Sequence, residues 1–208
     1  MAVVTIRGQL GSGAPEIGRL IAGALGGDYI DRQIIARVAE RICCTERFVV
    51  EKEMPPGSLF GRIAEALGRS GLTLDRAPYL PTWDAPLGDA LYLSGLRSVI
   101  TELAGKQPVV IQGRGSQYIL KDTPHSLHLL VVAPRDLRVE RVACEMNIDK
   151  DAAVKEINRI DNSRREFIKR YFDADPEDPT HYDLVLNTSR LSYDATASVA
   201  VQAAKFVE

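Results

Sequence analysis

The 208 residues carry 26 Lys and Arg against 28 Asp and Glu, a formal net charge of −2, with 45% hydrophobic and 26% charged residues. That is the make-up of an ordinary globular chain long enough for one sizeable core. It excludes a general electrostatic pull toward nucleic acid or an anionic membrane, so any anion site has to be local. Cys43, Cys44 and Cys144 are an odd number with two adjacent, a poor base for a disulfide framework, and no His/Cys spacing resembles a zinc site. No apolar run reaches membrane-spanning length and no secretory leader pattern opens the chain, so the cytoplasm is the expected location.

In chain order, Val3-Val4-Thr5-Ile6 is a β-branched run that predicts a strand, and Gly8, Gly11 and Gly13 frame a tight loop after it. Ile17, Leu20, Ile21, Ala24 and Leu25 then recur at helical spacing, and Gly26-Gly27 stops the helix. Strand, glycine loop and helix are the frame of the phosphate-binding pattern G-x-x-x-x-G-K-[ST], in which backbone N–H groups converge on phosphates, the Lys reaches the outer phosphates and the hydroxyl holds Mg²⁺. Here Ala14 stands at the Lys position and Pro15 at the hydroxyl position. An ammonium, a hydroxyl and, because proline has no N–H, one backbone donor are missing. Pro15 and Glu16 still suit the first turn of a helix. A strand-to-helix turn without any ligand stands as the alternative reading of this stretch.

Residues 28–30 read as a short strand ending at Asp31, and 33–43 as a second helix carrying Ile34, Ile35, Val38, Ala39 and Ile42 on one side. Asp31 is open to two readings, a binding carboxylate or the N-cap of that helix. From 54 to 88 the composition shifts to Pro55, Pro56, Pro78, Pro81 and Pro86 with Trp83, which predicts an insertion holding a short helix at 59–67. The stretch suits either a mobile flap or an assembly surface, the latter around Tyr79, Leu80, Trp83 and Leu87 for a homo-oligomer. Residues 87–103 read as a helix. Residues 108–111 form an apolar run that suits a strand buried on both faces, and the polar loop Gln112-Gly113-Arg114-Gly115 follows at its carboxyl end, where ligands bind in open α/β sheets. Residues 127–133 read as another buried strand. The next helix carries Arg135, Arg138 and Arg141, and residues 149–171 add Arg159, Arg164, Arg165, Lys169 and Arg170. These cations read either as a solvated face or as a helical hairpin that closes over phosphates. Residues 183–187 form the last strand, before a helix at 193–206 capped by Ser192; His125, His128 and His181 read as loop or surface residues.

Five of these pieces share an order and spacing that resemble the cytidylate kinase-like family: residues 8–18, Tyr29-Ile30-Asp31-Arg32, residues 109–114, the arginine helices, and residues 183–192. The resemblance implies an α/β phosphate-loop fold across 1–208, with a five-stranded parallel sheet in three layers. It adds a helical monophosphate-binding insertion and a helical, arginine-rich lid at about 135–172. It implies ATP with Mg²⁺ as donor and a nucleotide or other small acceptor. By match to the family's motifs, Gly8, Gly11, Ser12, Gly13 and Glu16 hold the donor phosphates. Asp31 and Arg114 face the acceptor, and Arg114, Arg138, Arg141, Arg159 and Arg164 carry the catalytic charge; no metal ligand is assigned.

Two departures matter. The Glu16-Ile17-Gly18 ending fits the branch that resembles G-S-G-G-R-E-I-G, yet Pro15 stands where that branch has a basic residue. Where true cytidylate kinases resemble E-G-R-D, this chain has Gln112-Gly113-Arg114-Gly115. Arg7 and Arg19 are the nearby cations that could substitute for the missing one. The expected function is therefore a nucleoside monophosphate kinase-like phosphotransferase. The alternative is a nucleotide-binding regulatory module that has kept the fold and weakened or lost the chemistry.

Overall fold

The computed structural model describes residues 2–54, 85–105 and 108–207. Its five strands are β1 (Val3–Gly8), β2 (Asp28–Ile30), β3 (Val109–Gln112), β4 (Ser126–Val132) and β5 (Leu184–Asn187). They lie in the order β2-β3-β1-β4-β5, every neighbouring pair parallel. Parallel strands need crossover connections, and the chain supplies helices for them. The helices among the described residues are α1 (Ala14–Leu25), α2 (Gln33–Arg41), α3 (Glu46–Glu53), α4 (Ala85–Ala104), α5 (Ser116–Ile119), α6 (Arg135–Met146), α7 (Lys150–Phe172) and α8 (Tyr193–Ala203). The predicted helix at 59–67 and the apolar group Tyr79, Leu80 and Trp83 lie outside the described residues, as does the side chain of Leu87.

β1 has β3 on one side and β4 on the other. Its carboxyl end is thus a topological switch point, the place where an open parallel sheet leaves a crevice, and the glycine loop begins there. Side chains alternate across β1. Val4 and Ile6 join Ile17 and Ile21 of α1, Leu129 and Val131 of β4, and Ala197 and Ala200 of α8 in one buried cluster. Ile17 and Ile21 are wholly buried, each contributing about 2 kcal/mol of apolar transfer free energy. This packing fixes the helix start relative to the strand end. Val139 and Val142 of α6 pack against Ala153 and Ile157 of α7, with Leu10 of the loop against the same cluster, so the loop and the hairpin share a core.

The chain divides into two compact units, residues 1–33 with 100–208, and residues 34–99. In the smaller unit, Thr45 caps α3 by accepting from the Phe48 N–H (3.3 Å), and Lys52 pairs with Asp89 (2.8 Å).

Several boundaries differ from the sequence expectation. α2 ends at Arg41, and Cys43 beyond it is left-handed, with φ of 51°. α8 ends at Ala203 rather than 206 because its last residues wind into a turn. His128 is not a surface residue: it is 7% exposed, on the face of β4 that shares Thr5, with Thr5 Oγ1 2.8 Å from its Nδ1. Its backbone N–H donates to Asp183 Oδ2 (2.7 Å).

Candidate active site

Residues 8–13 form a turn in which every carbonyl is engaged. Gly8 O accepts from Arg164 Nη1 (2.9 Å), Leu10 O from Arg138 Nη1 (3.2 Å), Gly11 O from Arg141 Nη1 (3.3 Å) and Ser12 O from Thr188 Oγ1 (2.8 Å). Gln9 O accepts from the Ser12 N–H (3.0 Å), and Gly13 O from the Ile17 N–H (3.0 Å). The amides are the complement. The N–H groups of Gly11, Gly13, Ala14 and Glu16 have no acceptor among the described residues. With φ of 79° at Gly11 and 87° at Gly13, the loop turns its carbonyls outward and its amides inward at the first turn of α1. Carbonyls tied down and amides left open at a helix start make a receptor for an anion. Pro15, second in the helix, is the one position of this turn without a donor. A Cβ at Gly13 would collide with the Tyr193 ring, so the closeness of α8 also requires glycine there.

Arg138 is buried, and its Nη1 meets Asp161 Oδ2 at 2.7 Å; Asp161 Oδ1 accepts the Leu10 N–H at 3.0 Å. The pair thus grips both polar groups of Leu10. Arg141 donates to Gly11 O and to Thr188 Oγ1 (2.8 Å) and O (2.9 Å), and its guanidinium lies 5.3 Å from the centre of the Tyr193 ring. Of the catalytic candidates Arg138, Arg141, Arg159 and Arg164 within the expected lid, three therefore hold the loop itself. Arg159 does something else: it is exposed and bonded to Glu156 (2.6 and 2.8 Å), and that bond holds the Glu156 carboxyl below the usual range.

β3 leaves the sheet through three successive left-handed residues, Gly113 (φ 71°), Arg114 (φ 54°) and Gly115 (φ 69°). A non-glycine residue in that region stores strain. The conformation aims Arg114 at Asp31, with Nη1 3.0 Å from Asp31 Oδ1 and 3.1 Å from its carbonyl oxygen. Of the two readings of Asp31, its carboxylate serves this pair, while its own N–H donates to Gln33 Oε1 (2.9 Å). Beside them the Tyr29 hydroxyl donates to Gln112 Oε1, and burial first, then the Asp31 charge, pushes the Tyr29 pKa up to about 12.

Glu16 contributes its amide rather than its side chain, which pairs with Arg19 on the surface (3.2 Å) and removes Arg19 as a replacement cation. The Ser12 hydroxyl is buried without a partner, turned toward Gly8. Asp161, Thr188 and Tyr193 join the site without having been singled out in the sequence. Thr188-Ser189 after the last strand was the one signal that could have found Thr188. The open amides suit phosphate oxygens. For Mg²⁺, no group of three or more His, Cys, Asp or Glu among the described residues is placed to hold an ion, and Pro15 offers no hydroxyl. Such an ion would be carried by the phosphates and water. Among the described residues no helix is long and apolar enough to cross a membrane.

Comparison with known proteins agrees with this geometry. The chain is 30% identical over 104 residues to the cytidylate kinase of Methanocaldococcus jannaschii, an alignment covering 49% of the chain and 58%, little more than half, of that relative. It is 25% identical over 198 residues to the cytidylate kinase of Methanothermobacter thermautotrophicus, covering 94% of the chain and 99% of the relative. Among solved structures, an uncharacterized protein from Eubacterium ventriosum superposes with a TM-score of 0.71 at 14% identity over 99% of both chains, a likeness of fold. The model of the cytidylate kinase-like family matches residues 3–190, and with its five parallel strands and phosphate-loop frame the chain belongs to that family.

Proposed function

We propose that this protein is a nucleoside monophosphate kinase-like phosphotransferase that moves the γ-phosphoryl group of ATP to a nucleotide, with a cytidylate-type acceptor favoured by family, or to another small acceptor. The observation that carries the reading is the loop with every carbonyl engaged and four amides open at the start of α1. Phosphoryl transfer asks a protein for alignment and charge rather than covalent chemistry. In the transfer an ionised phosphate oxygen of the acceptor nucleotide bonds the γ-phosphorus while the bond to the β–γ bridging oxygen breaks and ADP leaves; a hydroxyl acceptor would in addition release its proton to solvent. The amides of Gly11, Gly13, Ala14 and Glu16 orient the donor phosphates, and Arg114 and Arg164 bear on the transferring group. The α6–α7 hairpin, already clasped to the loop by Arg138, Arg141 and Arg164, serves as a fixed cover that keeps out water competing as acceptor.

A second reading is favoured by Ala14, Pro15 and Gly115: a nucleotide-binding module of the same fold without turnover. One experiment separates the two. The protein is incubated with ATP and Mg²⁺ and a panel of nucleoside monophosphates and small hydroxyl acceptors while ADP is measured, alongside calorimetric titration with ATP and ADP. Acceptor-dependent ADP supports the enzyme, binding without turnover the module, and neither result discards both.

A further inference from the structure

We propose that Arg7, flanked by Arg114 and Arg164, forms an oxyanion subsite for the phosphoryl group, supplying from the end of β1 the positive charge that Ala14 does not. The inference rests on the phosphotransferase reading and adds a residue to it. Alternation along β1 sends Val4 and Ile6 into the cluster with α1 and α8, so Thr5 and Arg7 face the opposite side. Ile6 is in register with Gln112 and accepts from the Gly113 N–H (3.0 Å), which brings Arg7 level with the strained turn that carries Arg114. Arg164 enters from α7 and holds Gly8 O, the carbonyl of the next residue.

The charges do not balance locally. Arg7 is 7% exposed; its Nη1 donates to Pro176 O (2.7 Å), and the Tyr182 hydroxyl lies within its hydrogen-bonding reach. Asp31 pairs with Arg114 and Asp161 with Arg138. Among the described residues no carboxylate lies at ion-pairing distance from Arg7 or Arg164. Arg164 is an exposed residue whose guanidinium is turned onto the loop by its bond to Gly8 O. Desolvation first pushes its pKa below the ordinary arginine value. Asp161 and Asp31 oppose that shift, while Arg7 and Arg114 add to it. Arg7 and Arg164 thus add two guanidinium groups beside the Asp31–Arg114 pair without carboxylates of their own, an arrangement that is costly to keep and is relieved by an anion. A tetrahedral oxyanion suits them, since guanidinium forks engage phosphate oxygens two at a time. Ala14 leaves the loop without an ammonium, and the surplus charge on the adjoining strand takes its place.

The test compares calorimetric ATP affinity for wild type, Arg7→Gln, Arg7→Lys, the double variant Arg7→Gln with Ala14→Lys, and Arg47→Gln as a control for net charge on the exposed face of α3. Arg7→Gln should weaken ATP binding about ten- to a hundredfold, Arg7→Lys by an intermediate factor, and Arg47→Gln less than twofold. Ala14→Lys should restore most of the loss in the double variant, which a purely structural bond from Arg7 to Pro176 would not allow. If Arg7→Gln fails to fold, Arg7→Lys decides, read at unchanged melting temperature. ATP affinity within twofold of wild type in the folded variant overturns the inference and leaves the phosphotransferase reading standing. Failure of the wild type to bind ATP at all overturns both.

Discussion

Replacing Asp161 by Ala would break the grip on Leu10 from one side only. The Arg138 side chain is 7% exposed and that of Asp161 16%, so the substitution leaves a buried guanidinium without its carboxylate. Breaking such a pair costs about 3–5 kcal/mol. Two features reduce the figure here. Arg138 keeps its bond to Leu10 O at 3.2 Å, and the partly open position of Asp161 lets water replace the carboxylate. The lost acceptor of the Leu10 N–H works the other way, by about 1 kcal/mol. A net loss of about 3 kcal/mol follows, which for a chain of this size lowers the melting temperature by roughly 6–12 °C. Circular dichroism during urea and thermal unfolding of wild type, Asp161→Ala, Arg138→Met and the double variant measures it. The double variant should lose about 2 kcal/mol less than the sum of the singles, because it strands no charge. A loss below about 1 kcal/mol in Asp161→Ala, or simple additivity, would refute the argument that this pair is a buried clamp.

Two further outcomes follow from particular residues. Burial lowers the His128 pKa below its ordinary 6.5, against the opposing pull of Asp183, so the folded state holds the ring neutral. Its contribution to stability is therefore constant above about pH 6.5. It is lost as pH falls below that value, where the unfolded chain takes up the proton and the folded one does not. Urea midpoints at pH 7.5, 6.5 and 5.5 should fall more steeply for wild type than for His128→Asn, and equal slopes would contradict the burial argument. Gly13→Ala places a side chain at φ of 87° and into the Tyr193 ring. It should cost about 2 kcal/mol or more. Adding Tyr193→Ala should return the steric part in thermal melts but not the backbone part, and full recovery would show that the loop tolerates a Cβ there.

The sheet and the glycine loop were legible because their signals are local: β-branched runs, glycines at left-handed positions, a polar loop at a strand end. Asp31 and Arg114 each stood out at a strand end, but their pairing across 83 residues did not. Asp149 and Ser192 cap α7 and α8 through the Ala152 and Ala195 N–H groups, and both helix starts fall within one residue of expectation. The arginines were visible as cations, but not as clasps of the loop, since the carbonyls they hold lie far away in sequence. Asp161 was hidden for the same reason: a single carboxylate on a charged helix carries no mark of a partner at Leu10. His128 was misread because one imidazole in an apolar strand does not reveal which face of the sheet is covered. α3 has too weak an apolar stripe to announce itself, with Val49 its one buried residue.

The outward carbonyls of the loop also set a timetable. Ser12 O waits for Thr188, 176 residues later, and Gly8 O for Arg164, 156 residues later. At a synthesis rate of about 5–20 residues per second, the N-terminal turn spends roughly 9–35 s on the ribosome before its last clasp is made. Until then β1 and the sequence of α1 are present without the side chains that turn the loop's amides inward. The nascent chain therefore passes through most of its length before Ser12 O meets its partner, and the loop reaches its finished form only after β5 has been made.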